Sequence, residues 1–202
     1  LILQITSSIQ QPLFTHFDTE TLNSENLKIF ETMENSIQKH IIIECQYKRK
    51  HYRLKPLKLV FFEGVWYVLC LDTLNEDAFK KFHLKSFKNI RFVDETFTVS
   101  SEFEKRLKNA HSIWFSFYNE PFTVRLLVNK EVLVRFERIP LKSQVIESRY
   151  PDGSAELKLE ATHEMEILPL VLHFMPHIKI LEPQWLLDSL KDNMKNYFKL
   201  IK

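Results

Sequence analysis

"RLKPLKLVFFEGVWYVLCLD", residues 53–72, decides the fold of the first half of the chain. Leu57, Leu59 and Phe61 alternate with more polar positions, as on a half-buried strand. Glu63-Gly64 can turn the chain, and Trp66 to Leu71 return it as a strand apolar on both faces. Lysine and arginine flank the first of these strands. So much aromatic surface beside so much basic charge reads either as a binding face or as a solvated β-surface over an aromatic core.

Outward from this hairpin, the segment "NSENLKIFETMENSIQKH" predicts a helix. Asn23 or Ser24 can cap its start, and Leu27, Phe30, Met33 and Ile37 recur at helical spacing. In "IIIECQYKRK" the period changes to that of a strand, and two short extended runs follow, "AFKKFHLKSF" and "IRFVDETFTV". One helix and about five short strands predict a small, strongly bent sheet or barrel. Next, "SEFEKRLKNAHSIW" places Phe103, Leu107, Ala110, His111 and Trp114 on a helical face. The remainder reads as strand, short helix, strand, turn at Gly153, strand, a helix carrying Pro169, strand, and a final helix opened by Pro183. Without that last helix the order is β-α-β-β-α-β, a ferredoxin-like arrangement. Ala155, Leu157, Leu159 and Ala161 face inward, and Phe122, Val124, Leu126 and Val128 form one face of the first strand of this half, open to packing within the chain or to a partner. Leu186, Leu190, Met194 and Tyr197 form a stripe on the last helix.

Composition narrows the function. With 202 residues, 45% hydrophobic and 27% charged, the chain can bury two small cores. A net charge of +2 is not the broad basic excess of a protein that grips duplex DNA with its whole surface. Only two glycines occur, Gly64 and Gly153, which excludes phosphate loops, dinucleotide fingerprints and the Gly-x-Ser-x-Gly elbow. The histidines lack metal-ligand spacing; His173 and His177 are separated by Pro176. Carboxylates such as Glu102, Glu104, Glu164 and Glu166 read as solvated helix faces, so no catalytic residue, metal or cofactor is expected. Cys45 and Cys70 lie in strand-like runs and read as buried free thiols of a cytoplasmic protein. No run approaches the roughly eighteen apolar residues of a membrane span. Basic residues concentrate between residues 41 and 93, where they clearly outnumber acidic ones, above all in "YKRKHYR", residues 47–53.

These segments resemble a WYL domain. The resemblance rests on the helix, on "PLKLVFFEGVWYVLCLD" and on "FHLKSFKNI", with Trp66-Tyr67-Val68 standing for the family's Trp-Tyr-Leu triplet. Pro56, Gly64, Trp66, Val68 and Asp72 stand at the family's structural positions. Residues 120–202 are similar to the C-terminal extension of such proteins, through "YPDGSAELKLEA", "ILPLVLHF" and "IKILEPQWLLDSL". The resemblance implies an α+β protein. A linker or remnant would span residues 1–22. An Sm-like, SH3-like small β-barrel with an N-terminal helix would follow over 23–100, a bridging helix and linker over 101–119, and a ferredoxin-like βαββαβ domain with a C-terminal helix over 120–202. It also implies a bacterial transcriptional regulator whose WYL domain binds a nucleic acid or nucleotide-like effector. The DNA-binding helix-turn-helix would lie before Leu1, since none fits in residues 1–22, and the longer protein would be a homodimer. The alternative is a structural dimerisation or connector module with a degenerate pocket.

The expected ligand set is Tyr47, Arg53, Lys58, Tyr67, His83 and Lys85: rings to stack on bases, charges to meet phosphate. This chain departs from the family pattern in "FHLKSF", residues 82–87, which lacks the usual arginines, and at Tyr52, where an arginine is expected. Arg53 is one place later, and one place on a strand reverses the face.

Overall fold

The computed structural model describes residues 20–201; the expectations for residues 1–19 lie outside that range. The chain divides into two compact units between Thr98 and Val99. In the first, helix α1 (Ser24–Lys39) starts at Asn23, whose Oδ1 accepts the Asn26 N–H at 2.9 Å. It ends at His40 in the left-handed region, whose N–H reaches back to the Ile37 carbonyl. Five strands follow: β1 (Ile41–Tyr47), β2 (Lys50–Phe62), β3 (Val65–Asp72), β4 (Ala78–His83) and β5 (Phe87–Thr96). The 3-10 turn Leu84–Ser86 joins the last two.

All pairings are antiparallel, and the sheet order is β4-β3-β2-β1-β5. The closed Sm-like barrel expected from the sequence is therefore not what forms. β4 and β5 are the two edges of an open sheet, with no ladder between them. The physical reason is α1, which packs against β1, β2, β5 and the 3-10 turn. It covers apolar surface that barrel closure would otherwise have to bury. Met33 is fully buried there, beside Ile43, Cys45, Leu54, Val68, Cys70 and Phe87.

The hairpin turns at Glu63 (φ 51°) and Gly64 (φ 82°), a two-residue turn with both φ positive that matches the twist of its strands. Simple alternation fails on β2, because a register shift between Pro56 and Lys58 puts Pro56 and Leu57 both inside. Phe61, expected inward, is partly exposed. On β3, Val68, Leu69 and Cys70 are all fully buried, as a strand apolar on both faces should be. Asp72 closes it, its Oδ1 accepting the Leu74 N–H at 3.2 Å. Both cysteines are free and buried; burial, then the Asp72 charge, pushes the Cys45 thiol up to about 12.

The second unit begins with α2 (Ser101–Lys108), capped by Ser100. The helix stops there, so Ala110, His111 and Trp114 do not extend its face as the spacing suggested. What ends it is a tie to Glu166, whose Oε2 accepts the His111 N–H at 2.9 Å. Then come β6 (Phe122–Val128), α3 (Lys130–Arg138), β7 (Val145–Arg149), β8 (Ala155–Ala161), α4 (Leu168–His173), β9 (Ile178–Glu182) and α5 (Gln184–Leu200). Pro169 sits in the first turn of α4 instead of inside a longer helix, since a 3-10 turn, Glu164–Glu166, takes the preceding residues. Pro183 is the cap residue of α5, just before its first turn. The sheet, in order β7-β8-β6-β9, is also open and antiparallel. Val124, Leu126, Leu157 and Leu159 are buried on one face against α3, α4 and α5.

Met33→Ala should test the role of α1 directly. Deleting a fully buried side chain of this size costs about 2–5 kcal/mol, and urea denaturation of the variant should show a loss in that range.

Candidate functional site

The ladder between β3 and β4 places Tyr67 opposite His83, with ring centroids 6.0 Å apart. Lys85 follows on the 3-10 turn. Tyr47, at the end of β1, accepts the backbone N–H of His83 on its hydroxyl at 3.2 Å. Four of the six sequence-predicted side chains thus meet at one end of the sheet.

The group they surround is one that sequence reasoning missed. Glu20, in the stretch leading into α1, places Oε1 2.7 Å from His83 Nε2 and 3.2 Å from Lys85 Nζ. Its Oε2 accepts the Trp66 backbone N–H at 2.9 Å. A carboxylate only accepts, so Nε2 of His83 carries the proton. The Glu20 N–H, in turn, donates to the Gly64 carbonyl at 2.8 Å. Glu20's side chain is only 10% exposed, against 36% for His83 and 31% for Lys85. Burial works to raise its pKa. The Trp66 N–H, His83 and Lys85 outweigh that and hold the carboxyl below its ordinary value. Tyr67 is pushed up by burial, then by Glu63, Glu20 and Tyr47, and so keeps its phenolic proton at neutral pH. No spacing signal could have found Glu20, which lies 46 residues from Trp66 and 63 from His83.

Arg53 is not in this cluster. It faces Glu44 across the β1–β2 ladder and ion-pairs with Glu95 of β5. With Glu44, Gln46, His51, Asn89 and Arg91 it lines a separate cleft. The one-place shift from Tyr52 is decisive, because Tyr52 packs edge-to-face on Phe82, 5.1 Å between centroids. Tyr47 meets Phe82 edge-on at 4.7 Å and Phe87 at 5.3 Å. Lys58 stands opposite Leu69, next to the β2 bulge. The Trp66 ring packs on Phe30 and Phe61, an anchor for α1, while its backbone N–H serves the cluster. Among the described residues no group of three or more His, Cys, Asp or Glu could hold a metal ion. None of their helices is long and apolar enough to cross a membrane.

Residues 28–92 match the family model of the WYL domain, and residues 120–197 match that of the WCX domain. None of the curated proteins matches the chain. Among solved structures it is similar to the "Crystal structure of a CRISPR Cas-related protein", with TM-score 0.52 and 14% identity over 89% of this chain and 54% of that one. It is also matched, at TM-score 0.37 and 13% identity, by proteasome accessory factor B/C (PafBC) of Arthrobacter aurescens, over 86% of this chain and 27% of that one. At such identity the first likeness speaks for the fold alone. The chain spans about half the length of the first structure.

Glu20 sets a pH dependence. A carboxyl whose folded pKa is lowered adds stability that is complete above its unfolded value and is lost as pH falls through the folded one. Thermal melting of wild type and Glu20→Gln should therefore differ most near neutrality, with wild type the more stable. The gap should close as pH is taken below roughly 4, the ordinary glutamate range.

Proposed function

We propose a function from the premise that the chain is a WYL-domain protein in which a WCX domain follows. Its WYL unit is the effector-sensing part of a bacterial transcriptional regulator, and it binds a nucleic acid or nucleotide-like ligand without covalent chemistry. The observation that carries this reading is the convergence of His83, Lys85 and the Trp66 N–H on a single oxyanion, beside the Tyr47 hydroxyl and the Tyr67 ring. Such donors suit a phosphate as well as a carboxylate. Basic groups with neighbouring rings are the ordinary means of holding a single strand. Arg53 lies in a separate cleft, and the working ligand set is Tyr47, Tyr67, His83 and Lys85.

The test is fluorescence anisotropy with a 3′-labelled single-stranded hexathymidylate across salt concentrations. Binding is expected, with affinity falling as salt rises because phosphate contacts release counterions. Lys85→Ala should weaken it several-fold. No binding even at low salt would leave the sensing role without support.

A second reading, self-association, rests on the last helix. Leu186 and Leu190 are buried, but further along the stripe Tyr197 is 60% exposed, with Phe198 beside it. Leu172, Met175, Met194, Tyr197 and Phe198 line an apolar cavity of about 400 Å³. Two-fold assembly would suit paired DNA half-sites. Light scattering over a dilution series should show a mass of two chains, reduced to one by Phe198→Glu.

A further inference from the structure

We infer that Glu20 is a tethered stand-in for a nucleic-acid phosphate: the chain fills its own ligand seat, and a bound strand must displace Glu20. The inference rests on the ligand-binding reading above and deepens it. The geometry supports it in three ways. First, the seat is built for a singly charged group with two equivalent oxygens. Oε1 is shared by His83 and Lys85, and Oε2 takes the Trp66 N–H. A phosphodiester offers the same pair of oxygens and the same single charge as a carboxylate.

Second, the donors come from the body of the sheet and the 3-10 turn, whereas the acceptor comes from the short stretch ahead of α1. Fixed donors and an acceptor on a connecting stretch make a seat with a replaceable occupant. The Glu20 N–H to Gly64 carbonyl bond, 2.8 Å, is the second tie of that stretch to the hairpin turn. Third, Glu20 is the more buried partner, while His83 and Lys85 each keep about a third of their side-chain surface open. A ligand can therefore meet the donors from solvent before Glu20 leaves. Tyr67 faces the same seat across the ladder from His83.

Competition of this kind has a predictable size. A seat occupied by its own plug about nine-tenths of the time binds an external ligand roughly tenfold more weakly than the open seat does. The experiment is anisotropy with the same labelled hexathymidylate on the full chain, comparing wild type with Glu20→Gln, Glu20→Asp and Glu25→Gln. Glutamine keeps the shape and loses the charge. Aspartate keeps the charge and shortens the reach. Glu25→Gln removes one negative charge from the first turn of α1 without touching the seat. The expected result is affinity raised about tenfold or more by Glu20→Gln, raised less by Glu20→Asp, and changed less than twofold by Glu25→Gln. Melting curves verify that each variant is folded at the assay temperature, and Glu20→Asp serves if Glu20→Gln is not. If wild type binds and neither Glu20 variant binds more tightly, the plug is overturned while the ligand reading stands. Equal gains from Glu25→Gln also overturn it, since general charge would then explain the effect. If no variant binds, the ligand reading fails and the inference falls with it.

Discussion

Everything in the first unit depends on the register of the β2–β3 hairpin. Two consecutive residues with positive φ, Glu63 and Gly64, close the turn, and Phe62 pairs with Val65 immediately beyond it. From that anchor the ladder runs back to Leu54 and Asp72. A one-residue slip would turn Val68 outward and send the Tyr67 ring into the core. It would also move the Trp66 N–H away from Glu20 and Tyr67 away from His83. Stability and site geometry are therefore set by the same short turn. In that turn a residue without a side chain relieves the backbone strain at one of the two positions.

The broad organisation was legible because periodicity reports burial. The doubly apolar β3 and the inward face of β8 follow from spacing alone, whereas the α1 stripe holds at Met33 but not at Leu27, which is exposed, and the helix buries Ser36 as well. Closure of the first sheet was misread. Strand count and bending are visible in a sequence, but whether two edge strands meet depends on what else covers the apolar face. Here α1 does so with Met33 and the Trp66–Phe30 contact. The bulge after Pro56 is equally silent, since Leu57, Leu59 and Phe61 look regular until the ladder shifts. The early stop of α2 comes from Glu166, distant in sequence, taking up a backbone donor.

The candidate site was half legible. Residue types and the resemblance pointed to Tyr47, Tyr67, His83 and Lys85, and the β3–β4 register brings them together. Arg53 is basic and stands one place after the position, Tyr52, where the family pattern has an arginine. Parity along β2 instead gives it to Glu95, with the aromatic packing of Tyr52 on the core side. Glu20 had no signature at all. A single carboxylate in a polar stretch becomes informative only once folding has set two basic groups and a backbone donor around it.

The openness of both sheets carries a cost that a closed barrel avoids. Among the described residues, each leaves two strands without a ladder partner on their outer side, a template on which another chain could add a strand and begin to aggregate. The edges are charged: Lys80 and Lys81 on β4, Lys88 and Arg91 on β5, Glu147 and Arg149 on β7, Lys179 and Glu182 on β9. On β4 the two lysines share a sign, so two copies of that edge repel; on every edge, pairing would have to strip water from charged side chains. Much of the basic charge beside the aromatic hairpin thereby acquires a second use, as a guard that keeps neighbouring molecules from zipping onto an exposed rim. Neutralising the lysines of β4 would then threaten solubility before it disturbed the fold.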